Sequence, residues 1–437
     1  MPELTASQLE MTPHSWEIIR AADQFTLQMT SISEINKTVL PELEAQAKNR
    51  INRITEEITQ HLPEDEVPHL IKGMREFAKG ILSLTDPKEG EGETTFTFSL
   101  DGSPGAALSQ LTWLGMEQVQ SNPHHELLRN SLLVSSISGF EVLFGRIARS
   151  IFKVNKAALN DSDHAFTLQQ LADFESLADA REFLLEQRVS KLLYESLDGW
   201  EKWLKRAGGG TSMVALPVDW PRLREAFARR NLLVHADGVT NQLYLEVVNK
   251  LTPRSPVQLG EKLKVSGQYL DEHLQEILAL GRLLSVEVGM KLHKGEKKAY
   301  ISTLTTDINR MSHKGLWRTC IALSKYALGC ELTRSQEIDV RTRGWVAQKE
   351  EFGLDSIKGE VEAWDVSGLS PFYALRKDAI LESDSTSDTV RRLLADGTLT
   401  VFDVATDPLY KCFREQLKSE IVAAKELDHA ETGEAST

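Results

Sequence analysis

Cysteine is scarce in this chain. Three residues in 437, Cys320, Cys330 and Cys412, are too few and too scattered for a disulfide framework or a zinc site. A reducing cytoplasm is the compartment to expect. Positive charge is also in deficit, with 50 Lys and Arg against 64 Asp and Glu and a formal net charge of -14. A protein that coats duplex DNA through its overall field carries the opposite sign, so any contact with nucleic acid has to be local. That argues against an architectural DNA binder and leaves room for an enzyme that cuts one RNA strand. No apolar run reads as a membrane span, and no membrane partner is expected. Met1-Pro2-Glu3-Leu4-Thr5 lacks the basic-then-apolar order of a signal peptide.

What is present is the balance of a soluble globular protein: 41% hydrophobic and 26% charged residues, with length for two to four domains. Helical periodicity dominates, which predicts an all-α fold. Leu43, Ala47, Ile51, Ile54 and Ile58 recur at helical spacing. After Pro63-Glu64-Asp65-Glu66, a loop, another stripe runs through Leu70, Ile71, Met74 and Phe77. Residues 86–92 read as a solvated loop, and Thr95 to Leu100 alternates as a short strand or extended arm would. Asn122-Pro123 is an N-cap followed by proline, and Leu133, Ile137, Phe140, Phe144, Ile147 and Ile151 mark a long helix to about Phe152. A second helical region spans about Phe174 to Arg206 and stops at Gly208-Gly209-Gly210. A third starts at the cap Asp219, and a fourth follows Ser266. Four amphipathic helices in succession read as a bundle.

From about Ala299, helices over Trp317–Leu328, Ser335–Phe352, Asp355–Glu362 and Pro371–Leu381 suggest a repeat-like array of degenerate tetratricopeptide type. Thr398 to Phe402 reads as a strand or a buried link. The expected organisation is an N-terminal helical region with a short extended segment (1–121), the bundle (122–298), a C-terminal helical region (299–427) and a disordered tail (428–437).

The third bundle helix carries the densest chemistry: Arg229-Arg230-Asn231-Leu232-Leu233-Val234-His235-Ala236-Asp237-Gly238, with Asn241 and Tyr244 behind it. At about 100° per residue, Leu223, Ala226, Phe227, Leu233 and Val234 define an apolar arc. Arg230 projects near its middle, Arg229 toward solvent, and Asn231 and His235 onto its edge. A buried arginine requires a carboxylate, a phosphate or another chain against it. Within the bundle the candidate is Glu141, at the edge of the first stripe, with Ser138 one turn earlier.

An imidazole, a guanidinium and an amide, with no metal-ligand cluster beside them, suit metal-free phosphodiester chemistry. The imidazole serves as general base or acid, the guanidinium stabilises the phosphorane-like transition state, and RNA supplies its own 2′-hydroxyl nucleophile. One histidine cannot readily be both base and acid, and a symmetric dimer would supply two. The plainer alternative makes His235 a helix-end residue completing the dipole and Arg230 a buried ion pair.

These residues, together with Ser136-Ile137-Ser138-Gly139-Phe140-Glu141 upstream, resemble HEPN (higher eukaryotes and prokaryotes nucleotide-binding) domains, whose signature is an Arg, usually a polar residue, then a His a few positions on. The resemblance covers about 122–292. It implies a HEPN-like all-α bundle that dimerises around a composite site and cuts RNA without a metal or cofactor; many relatives are toxins or abortive-infection effectors. By position Arg230 and His235 match the catalytic pair, Asn231 the intervening polar residue, and Glu141 an acidic position of the first helix. The expected partners are an RNA substrate, a second copy of the chain, and a trigger or regulatory partner on the flanking regions. The rival reading from another class is a non-catalytic dimerisation scaffold.

Weaker signals complete the reading. His124-His125 sits in a first helical turn, expected solvated. Gly208-Gly209-Gly210 lacks the following Lys-Ser/Thr of a phosphate loop. Trp317, Trp345 and Trp364 are expected to pack the C-terminal helices. Lys291, His293, Lys294, Lys297 and Lys298 form the most basic patch, by default a solvated helix end and otherwise an RNA-backbone contact.

Overall fold

The computed structural model describes residues 12–59, 124–159, 166–251 and 256–418. The expected loops at 63–66 and 86–92, the helix at 70–77, the extended segment at 95–100, the Asn122-Pro123 cap and the tail lie outside them. Sixteen α-helices and no strand occur among the described residues, so the chain is all-α. The one β-like contact is an isolated bridge between Val239 and Lys262.

In order, the helices are α1 (Pro13–Thr59), α2 (His124–Val154), α3 (Lys156–Leu159), α4 (Leu168–Ala172), α5 (Leu177–Leu193), α6 (Leu197–Ala207), α7 (Trp220–His235), α8 (Gln242–Leu251) and α9 (Gly267–Leu292). A 3₁₀ turn (Lys294–Glu296) leads into α10 (Lys297–His313), α11 (Trp317–Ala327), α12 (Arg334–Phe352), α13 (Lys358–Glu362), α14 (Pro371–Ile380), α15 (Thr386–Ala395) and α16 (Val401–Thr406).

The chain divides into two compact units. The smaller comprises Glu34–Leu132 and Lys264–Gly267. Within it Asn36 donates its side-chain amide to the Gly267 carbonyl at 2.9 Å, and Arg129 pairs with Glu44. The larger comprises Met1–Ser33, Leu133–Leu263 and Gln268–Thr437, so the C-terminal helices share a unit with the bundle helices.

The larger unit is built on an aromatic centre. Every residue of the stripe read on α2, from Leu133 to Ile151, is fully buried. Phe144 stacks on Trp200 of α6 at 4.2 Å, while Phe140 meets Phe25 of α1 and Phe227 of α7 edge-on. The Trp200 indole is buried with its N–H donated to the Leu192 carbonyl at 2.8 Å, which satisfies its polar end. The expected region from Phe174 to Arg206 is two helices, not one. Ser196 accepts from the Gly199 N–H and starts α6 afresh, turning Trp200 and Trp203 into the core.

Helix α9 is buried on all sides along its middle, where its inward-facing polar side chains each make at least one polar contact. His273 Nε2 lies 3.0 Å from the Ser136 hydroxyl, Glu276 accepts from the Asp219 N–H at 2.9 Å, and Gln275 accepts from the Arg318 N–H at 3.1 Å. The Arg282 guanidinium is held between Asp23 at 2.7 Å and Asp307. At Gly281 a Cβ would stand 2.4 Å from a Phe25 ring carbon, so α1 approaches α9 only because that side chain is absent.

Helix α2 has the length and mean hydropathy of a membrane span, a property the residue runs alone did not reveal. Its apolar stripe forms the core just described. In the C-terminal helices Trp317, Trp345 and Trp364 pack together as expected, around Val361, Leu375 and Tyr410. Thr398 to Phe402 is neither strand nor buried link. Thr400 and Asp403 form a capping box that starts α16, leaving Leu399 buried and Phe402 73% exposed.

Candidate functional site

Asp219 caps α7 by accepting from the Arg222 N–H at 3.1 Å, and Pro221 occupies the first turn. Leu223, Ala226 and Leu232 are the buried residues of this helix. Their spacing of three puts Arg229, not Arg230, on the inward stripe. The Arg229 side chain is 13% exposed, against 21% for Arg230. The expectation that Arg229 faces solvent and Arg230 the middle of the apolar face is therefore corrected by about one residue, or roughly 100° of rotation. Val234, expected inside, is half exposed.

The rotation has a cause. Glu225, four residues before Arg229, takes the guanidinium Nε–H at 2.7 Å and also accepts from the hydroxyls of Tyr244 at 2.6 Å and Tyr269 at 2.5 Å. Arg229 lies 4.2 Å over the Tyr269 ring. Burial works against the Arg229 charge, and Tyr269 and Glu225 more than offset it, so its pKa is raised. Burial and the Glu225 charge push both phenols well above the ordinary value. This network ties α7 to α8 and α9. Sequence reading noted Tyr244 but missed its role; the i,i+4 Glu225–Arg229 spacing was the signal that could have found it.

Arg230 sits at the edge of the stripe, and its Nη2 donates to the Glu141 carboxylate of α2. The two residues expected to meet are in contact. The Arg230 Nε is sheltered from solvent and finds no acceptor among the described residues. Asn231 and His235 are exposed, and neither makes a hydrogen bond or ion pair among the described residues. His235 is not in polar contact with Arg230 or Glu141. Along an ideal helix the two α7 positions are about 7.5 Å apart and turned by roughly 140°.

His235 ends its helix at a tightly specified hook. Asp237 and Gly238 both adopt left-handed backbone, with φ of 49° and 76°. The N–H groups of Ala236 and Gly238 both return to the Leu232 carbonyl, at 2.8 and 3.0 Å. The Leu263 N–H bonds the Gly238 carbonyl at 3.0 Å, and Lys262 pairs with Asp237 at 2.8 Å. Asn241 then caps α8 by accepting from the Tyr244 N–H at 3.0 Å. The imidazole is thus presented from a fixed backbone with its ring free.

The other signals resolve simply. Gly208 caps α6, and Lys291 donates to the Gly210 carbonyl at 2.9 Å and pairs with Glu287, so the triple glycine is a helix stop. His124 is exposed; His125, expected solvated, is half-buried. No group of three His, Cys, Asp or Glu with metal-holding geometry occurs among the described residues. Comparison with models of known protein families, with characterised proteins and with solved structures finds no match.

Proposed function

We propose that the chain is a HEPN-type endoribonuclease, of toxin or anti-phage effector kind, that cuts RNA without a metal at a site completed by a second copy. The observation that carries this reading is the pairing of Arg230 with Glu141 across α7 and α2, beside an unpartnered Asn231 and His235 on the same exposed helix end. Asn231 and His235, one turn apart on the solvent side of α7, are open to a substrate or a second chain.

In this reading the Arg230 guanidinium takes the non-bridging oxygens of the scissile phosphate, with Glu141 holding it in place. The 2′-oxygen attacks phosphorus and the bond to the 5′-oxygen breaks, leaving a 2′,3′-cyclic phosphate and a 5′-hydroxyl. The His235 imidazole of one protomer removes the 2′ proton, and that of its partner protonates the leaving oxygen. Asn231 orients the substrate. Each chain offers one imidazole at this helix end, which is why the proposal requires a homodimer. The flanking helices recognise a trigger, and the setting is the cytoplasm.

The test is cleavage of end-labelled RNA in the presence of chelator, alongside growth of cells overexpressing the chain. Wild type cuts and arrests growth, and Arg230→Ala and His235→Ala do neither. Growth arrest with intact RNA, unaffected by both substitutions, would favour the scaffold reading.

A further inference from the structure

A second site, independent of the nuclease reading, lies in a cavity of about 370 Å3 among the start of α1, the end of α2, α5 and the turn after α9. That volume falls in the range of about 300–1,000 Å3 that small-molecule sites occupy. Its wall carries two carboxylates and two cations. Glu17 pairs with Lys153 at 3.1 Å, and Glu182 with Arg149, a side chain that also reaches Glu186 at 3.5 Å. Arg181 and His14 remain, with no hydrogen bond or ion pair among the described residues. The adjoining turn and the start of α10 add Lys294, Lys297 and Lys298, all exposed, against the one carboxylate of Glu296, which accepts from the Thr12 N–H. In a chain of net charge -14 this is a local positive field over a concave surface.

His293 supplies a second, different requirement. Its Nδ1 lies 2.9 Å from the Tyr300 hydroxyl, which is also within reach of the Ser15 carbonyl. With the phenol proton on the Ser15 carbonyl, 3.4 Å away, the hydroxyl accepts from Nδ1–H and Nε2 of the neutral ring is an acceptor; with that proton on Nδ1, Nε2–H is a donor. That Nε2 is buried and has no partner among the described residues. Burial outweighs the opposing charge of Glu296 and, with His14, lowers the His293 pKa, which favours the neutral ring. A matching ligand carries an anionic group for Arg181 and His14, a hydroxyl, which both donates and accepts, for His293, and an apolar part against Val154 and Leu185.

We propose that this cavity binds a phosphorylated, hydroxyl-bearing small molecule of nucleotide size. A phosphate offers two oxygens to the Arg181 guanidinium and leaves others for the His14 ring and the flanking lysines. The cavity is also larger than inorganic phosphate needs. Lys153 lies twelve residues beyond Glu141 on α2, about 18 Å along the helix, so this site is separate from that of Arg230.

Calorimetric titration of the full chain at constant ionic strength, with AMP, ribose 5-phosphate, adenosine and inorganic phosphate as probes, tests the proposal. AMP or ribose 5-phosphate should bind saturably, and adenosine and inorganic phosphate at least ~10-fold more weakly. Arg181→Ala, an exposed substitution that leaves the core intact, should weaken the binding probe by ~10-fold or more, and His293→Phe should weaken it too. Absence of binding by both phosphorylated probes, equal affinity for inorganic phosphate, or affinity untouched by Arg181→Ala would overturn it. So would binding of single-stranded RNA that grows with length and ignores Arg181→Ala, which would make the surface a lysine-driven nucleic-acid contact.

Discussion

The two neighbouring arginines of α7 should respond in opposite ways to truncation. Arg229→Met removes a charge-assisted hydrogen bond to Glu225, worth about 1.5–3 kcal/mol, and the stack on Tyr269, worth about 0.5–2 kcal/mol. It also leaves Glu225, sheltered under two phenols, without its cation. Breaking such a pair costs about 3–5 kcal/mol. Arg230→Met breaks a less buried ion pair, with side chains 21% and 28% exposed, and should cost less, about 1 kcal/mol. Urea unfolding with unchanged m-values measures both directly. A double-mutant cycle with Glu225→Gln should return a coupling of at least ~1 kcal/mol for Arg229 and none for Arg230. RNA cleavage should rank them the other way, with Arg230→Met inactive while folded. Equal stability costs, or a larger one at Arg230, would refute the assignment of Arg229 to the inward stripe.

Three further outcomes follow from the interior. Burial, reinforced by Arg222, holds the His273 pKa down to about 3, so between pH 6.5 and 3 the unfolded chain binds the extra proton and stability falls as pH falls. Between pH 7 and pH 5 this histidine should account for about 2 kcal/mol of lost stability, and His273→Gln should flatten the pH dependence of unfolding by that amount. Asp407→Ala strands Arg343, which the carboxylate grips at 2.5 and 2.7 Å, and should cost about 3–5 kcal/mol by chemical denaturation. Gly281→Ala drives a methyl group against the Phe25 ring and should lower stability by about 1–3 kcal/mol, with a visible drop in Tm.

The stripe from Leu133 to Ile151 was legible because a long helix buried along one face repeats its apolar residues many times over. Helix α7 offered only a few turns, two of them crowded with charge, and there periodicity misjudged the azimuth. Whether Arg229 or Arg230 turns inward depends on Tyr244 and Tyr269, which come from helices fifteen and forty residues away. Helix α8 went unread because its ten residues follow directly on the hook after His235. Leu399 and Phe402 looked alike as apolar residues, and only the Thr400 cap separates a buried one from an exposed one. The Arg230–Glu141 contact was anticipated from an electrostatic argument: an arginine near a packed face needs a carboxylate within reach. The cavity at His14, Arg181 and His293 joins residues from distant parts of the chain, which no local pattern connects.

The central claim is that two copies together cut RNA through Arg230 and His235. Diluting wild type with an inactive copy tests it most directly: purified wild-type and His235→Ala chains, dissociated and reassembled together at varied ratios, assayed on labelled RNA in chelator. A site that needs one imidazole from each copy predicts silence from the variant alone, activity that falls as the square of the wild-type fraction, and products ending in 2′,3′-cyclic phosphate. Cleavage by His235→Ala alone at the wild-type rate, activity that falls only in proportion to the wild-type fraction, or 3′-hydroxyl ends from wild type, would contradict it.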